Sequence, residues 1–62
     1  MNISVFDLAG HFIPTCKFRF FSYESGEVFG TAPVFEICKV SGFRDIMVMD
    51  WTVREEWVEV MI

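Results

Sequence analysis

Chemistry in this chain would have to come from one histidine, two cysteines and a few carboxylates. His11 is the one side chain whose ordinary titration falls near neutral pH, so general acid–base catalysis would start there. It follows Gly10 in a stretch that reads as loop, where a solvated imidazole is the ordinary outcome. Cys16 and Cys38 form no Cys-x-x-Cys pair, and zinc takes four clustered ligands, so no metal or cofactor is expected. Glu55, Glu56 and Glu59 read as a solvated acidic face rather than a catalytic pair. The chain has no Gly-rich phosphate cradle, nucleophile elbow or metalloprotease helix. A protein that is not an enzyme is the expectation.

Recognition is what remains. Trp51 and Trp57 flank Glu55-Glu56, with Glu59 close by. Tryptophan is enriched where binding energy concentrates, and an acidic rim suits a basic partner. Trp51, Glu55, Glu56, Trp57 and Glu59 are therefore the predicted partner-binding residues; the competing reading has both tryptophans completing a thin core. Nine carboxylates against five cations give a net charge of −4, which favours a basic protein surface over phosphate. The expected function is a small acidic interaction module, an inhibitor or modulator occupying a basic surface, of the kind phages and mobile elements encode. Hydrophobic residues make up 53% of only 62 positions, more than so small a domain hides, so a homodimer or a protein partner is expected to cover the excess.

The longest uncharged runs, residues 8–16 and 28–35, fall far short of the ~20 residues that span a bilayer, so no membrane span is predicted. The first residues lack the basic region and apolar core of a signal peptide. A cytoplasmic location follows, with both thiols free and buried. In an oxidising compartment a hairpin between Cys16 and Cys38 would bring a disulfide within reach.

A second surface is suggested by residues 17–30, where cations alternate with aromatics before a turn at Glu24-Ser25-Gly26-Glu27. With period two, Cys16, Phe18, Phe20 and Ser22 face a core, while Lys17, Arg19, Phe21 and Tyr23 face solvent. Lys17-Phe18-Arg19-Phe20-Phe21-Ser22-Tyr23-Glu24-Ser25-Gly26 resembles the opening of a cold-shock domain, Lys-x-Lys-Trp-Phe-Asn-x-Glu-x-Gly. Val34-Phe35 and Gly42-Phe43-Arg44 loosely echo later positions of that family. The resemblance implies a small barrel binding single-stranded nucleic acid, with Phe20, Phe29 and Phe35 stacking on bases and Lys17 and Arg19 meeting the backbone. The chain departs from the family at Glu27-Val28, where the family has Gly-Phe-Gly, and at Glu36, which sets a carboxylate beside the stacking face. Nucleic-acid binding is therefore the alternative function, and the likeness serves as an analogy about fold.

Residues 2–7 alternate and read as a strand; Gly10 and Pro14 then break the chain. A strand over 16–23 and the turn at Gly26 make a hairpin. The next strand starts at Glu27, bends or bulges at 30–33 around Pro33, and resumes over 34–40. Ser41-Gly42 turns the chain into residues 43–50, whose Ile46-Met47-Val48-Met49 run reads as the central strand. Residues 51–62 carry two signals. Thr52-x-x-Glu55 matches a capping box with Val53, Trp57, Val60 and Met61 on one helical face. From Trp57 onward, however, the residues alternate and are β-branched, so a helical turn over 51–56 followed by a strand is preferred. The sum is one all-β domain over residues 1–62, an antiparallel meander of four to five strands or an SH3/OB-like barrel. The runner-up is α+β, with a C-terminal helix on a three- to four-stranded sheet. A homodimer joined through the fourth or C-terminal strand is a third functional reading.

Overall fold

Two short alternating stretches, Phe18/Phe20 and Val58/Val60, form the centre of the protein. In the computed structural model, which describes residues 3–62 apart from the side chains of 41 and 43, they lie on β1 (Lys17–Phe21) and β4 (Val58–Met61). These strands run parallel, with Phe18 opposite Val58 and Phe20 opposite Val60. β2 (Val28–Pro33) pairs antiparallel with β1, and β3 (Asp50–Val53) antiparallel with β4, giving the order β2-β1-β4-β3. Two hairpins thus lie side by side, joined along their inner strands. Helices α1 (Val5–Ala9) and α2 (Val34–Lys39) and a 3-10 turn (Ser41–Arg44) complete the fold.

The protein is therefore α+β with a four-stranded mixed sheet, not the antiparallel all-β meander or barrel expected from the sequence. β1, β2 and β4 fall within stretches expected to be strands, and the class matches the runner-up. Its C-terminal helix is absent; the helices come earlier in the chain. Both helices cover one face of the sheet. Val5, Leu8, Ala9, Val34 and Ile37 meet Phe18, Phe20, Val58 and Val60 there, with Val48 closing the cluster. Paired residues share a face, so Lys17, Arg19, Phe21, Glu59 and Met61 lie on the outer one.

Each difference has a local cause. Of the strand expected over 2–7, Asn2 lies outside the described residues and Ser4 makes only an isolated bridge with Met47. Ser4 Oγ then accepts a hydrogen bond from the Asp7 amide at 3.1 Å, satisfying a donor left free at a helix start, and the chain coils into α1. Over 34–40, Val34 and Ile37 are buried three residues apart while Phe35, Glu36 and Cys38 are exposed, the period of a helix. Pro33, without an N–H, ends the ladder and stands at the helix N-cap.

Residues 43–50 are not a central strand. Val48 is buried, but Met47 and Met49 are 46% and 57% exposed; Met47 bridges to Ser4, and the segment joins the sheet only at its end, where Met49 N–H donates to the Met61 carbonyl at 2.8 Å and Asp50 begins the edge strand β3. Residues 51–56 form β3 and a turn in place of a helical turn, closed by Arg54 N–H donating to the Trp57 carbonyl at 2.8 Å. The terminal strand is as expected. So is the first hairpin: Ser22 N–H reaches the Glu27 carbonyl at 2.8 Å, and Gly26 takes φ +75°. Both cysteines are unpaired; Cys16 is half-buried and Cys38 is exposed on α2, so neither is the buried thiol expected. No helix among the described residues is long and apolar enough to cross a membrane.

Candidate interaction surface

The β3–β4 hairpin sends its two tryptophans to opposite faces of the sheet. Trp51 pairs with Val60, so its ring lies on the inner side. There it meets Phe12 edge to face, with centroids 6.2 Å apart, and Phe12 meets Phe18 in the same way at 5.4 Å. Trp57, just before β4, lies toward the outer face. Its indole N–H donates to Glu59 Oε2 at 3.4 Å, and the Arg19 guanidinium sits 5.0 Å from its ring centroid.

Two grooves adjoin at this end of the molecule. One, of about 460 Å³, is bounded by Thr15, Cys16 and Lys17 on one side and by Glu55, Glu56 and Trp57 on the other. The second, also about 460 Å³, is almost wholly apolar and is walled by Ile3, Leu8, Phe12 and Trp51. His11, Phe12 and Val53 belong to both, which makes them neighbours around the hairpin edge. The five predicted partner-binding residues thus gather around one feature. Glu55, Glu56 and Trp57 line the first groove, Trp51 lines the second, and Glu59 holds the Trp57 indole from behind. The walls given by Ile3, Leu8 and Phe12 are not among the predicted site residues. In the sequence Phe12 is legible only as a core cap between Gly10 and Pro14.

The charges at this end are unequal in availability. Arg54 Nε lies 3.3 Å from Glu59 Oε2, and its Nη2 donates to Oε1 at 3.4 Å, so these two groups largely satisfy each other. Glu55 and Glu56 are exposed at the tip of the turn. On the outer face Arg19 stands opposite Glu59 in register. That carboxylate, however, is turned to Arg54 and Trp57. The Arg19 guanidinium is held instead by the Trp57 and Phe21 rings, at 5.0 and 5.8 Å, and its buried Nε has no hydrogen-bond partner.

The residues of the alternative nucleic-acid face are brought together only in part: Phe20 and Phe29 line one groove, and Lys17, Arg19 and Phe35 lie outside it. Lys17 and Arg19 share the outer face, but Phe20 is buried in the core at 5% exposure. Phe29 stands on edge strand β2, and Phe35 lies on α2 in the helical layer, with Lys39 Nζ 5.8 Å over its ring. The small barrel implied by the cold-shock resemblance is also not formed, since the sheet is open and half-covered by helices. His11 and Cys16 line the first groove, but Cys16 Sγ is directed at the Lys17 carbonyl at 4.0 Å. Among the described residues no group of three or more His, Cys, Asp or Glu side chains could hold a metal ion. Comparison with protein-family models, with curated protein sequences and with solved structures finds no match to this chain.

Proposed function

We propose that this chain is a protein-interaction module that grips a segment of a partner in the adjoining grooves of the β3–β4 end. An apolar side chain of the partner lies in the apolar groove against Ile3, Phe12 and Trp51, and a neighbouring lysine or arginine meets Glu55 and Glu56. What supports this most is the adjacency itself: an apolar slot and an acidic turn share His11, Phe12 and Val53 as common walls. A cavity of ~150 Å³ already accepts a benzene ring. The apolar groove, at about 460 Å³, therefore has room for a large aromatic or aliphatic side chain. Such a module acts by occupancy, as an inhibitor or modulator of a partner with a basic surface, and is not catalytic. Its unpaired cysteines suit a reducing cytoplasm.

Single-strand nucleic-acid binding has less support. Of its stacking rings Phe20 is buried and Phe35 lies apart on α2, leaving Phe29 as the one exposed ring at the groove it shares with Phe20, and Arg19 already covers a face of the Trp57 ring. A homodimer through the C-terminal strand has less still, because both edges of β4 are occupied by β1 and β3.

Selection from a displayed peptide library tests the proposal. Peptides retained by the wild type are expected to share an apolar anchor next to Lys or Arg, and to be lost on a Trp57→Ala, Glu56→Lys double variant. Retention by both proteins alike, or enrichment of acidic sequences, would count against it.

A further inference from the structure

At the other end of the sheet the helical layer leaves a corner uncovered. Phe29 projects from β2 beside the register shift between Phe20 and Phe21, and is 65% exposed. Tyr23 and Met49, each 57% exposed, stand near it. Two shallow grooves share Phe29 and Ile62 as walls. One, of about 240 Å³, runs over Phe20, Gly30 and Ala32; the other, of about 500 Å³, runs past Tyr23, Ile46 and Met49. Of the side chains lining the two, that of Glu24 alone is charged.

We propose that this corner is the contact of a two-fold homodimer, in which Phe29 of each copy enters the smaller groove of the other. Three observations favour a second copy over a foreign partner. A projecting ring lies directly beside an apolar groove of about 240 Å³ that is wide enough to seat the face of one. In a two-fold contact the same patch serves both subunits, so a knob and a hole side by side are used twice. The corner's near lack of charge offers nothing to the basic partner that Glu55 and Glu56 suit, and it is matched by an equally uncharged patch. The area suits a weak, reversible contact: Phe29 and Tyr23 together present roughly 250 Å² of ring surface and Met49 adds to it, below the ~800 Å² per partner of a stable interface. The contact is made by side chains rather than by joining β2 to β2. Pro33 has no N–H, and the register shift bends the strand, two features that blunt an edge against pairing.

Sedimentation equilibrium from micromolar to millimolar protein tests this. The expected result is a reversible dimer whose dissociation constant rises at least tenfold in Phe29→Asp and in Met49→Glu. Trp57→Ala, at the opposite end, leaves it unchanged. Because Phe29 and Met49 are exposed, circular dichroism of both variants is expected to match the wild type. A monomer throughout the range overturns the proposal, and so does a dimer that Phe29→Asp does not weaken. Neither result bears on peptide capture by the hairpin grooves.

Discussion

Arg19 is a cation held by rings rather than by a carboxylate. Glu59, its neighbour in register, is engaged by Arg54 and by the Trp57 indole, and the planar guanidinium lies against Trp57 and Phe21. Lysine keeps the charge but not the plane, so Arg19→Lys is expected to cost about 0.5–1 kcal/mol in urea denaturation. Glu59→Gln is expected to cost less than about 1 kcal/mol, because Arg54 is 55% exposed and water competes for it. Two backbone positions are more exacting. Ser4→Ala removes the Asp7 amide's acceptor and is expected to cost about 1 kcal/mol, with Ser4→Asp close to neutral. At Gly26 a Cβ would meet open space, but φ is +75°. Alanine there is expected to cost about 1–2 kcal/mol through the backbone alone, and asparagine less.

The elements differ in how far they can be read locally. The first hairpin is carried by its own residues: alternation through Phe18 and Phe20, then Gly26 at the one turn position that needs positive φ. Its faces and turn are legible for that reason. Ser4-x-x-Asp7 and Thr52-x-x-Glu55 are nearly the same capping pattern, yet only the first caps a helix. Val5, Leu8 and Ala9 after Ser4 form a helical stripe, whereas Val58 and Val60 after Thr52 alternate and draw the segment into pairing with β4. The α2 segment resembles a strand in sequence because Phe35 and Ile37 fit a strand face as well as Val34 and Ile37 fit a helical one. Substitution separates the two. In a helix, Ile37→Ala costs about 2–5 kcal/mol and Phe35→Ala stays within about 0.5 kcal/mol, whereas a strand would penalise both. The parallel pairing of β1 with β4 has no local signal at all, since its partners come from distant parts of the chain. The site divides the same way. Glu55, Glu56 and Trp57 are neighbours in sequence and legible there, while Ile3, Leu8 and Phe12 reach the groove only through the fold.

At the scale of the molecule, 62 residues leave little margin, and the central pairing closes the longest loop in the sheet. Amide exchange is therefore expected to be slowest at Phe18, Phe20, Val58 and Val60, where only global unfolding exposes the backbone, and fastest at Glu55 and Glu56. Equal protection of the two hairpins with no slow pair at β1 and β4 would mean that they unfold independently. The same architecture separates two working ends. The hairpin tip combines an apolar slot with carboxylates, and the far corner is apolar with a single charged side chain in its lining. The capture of a basic, apolar-anchored segment at the first end is tested most directly by amide chemical shifts of the nitrogen-labelled protein, titrated with a library-selected peptide. The expected result is a cluster of shifts in residues 11–17 and 51–58 that Trp57→Ala with Glu56→Lys abolishes. Shifts confined to Arg19 and Phe21 on the outer face, or to the Phe29 corner, would contradict it.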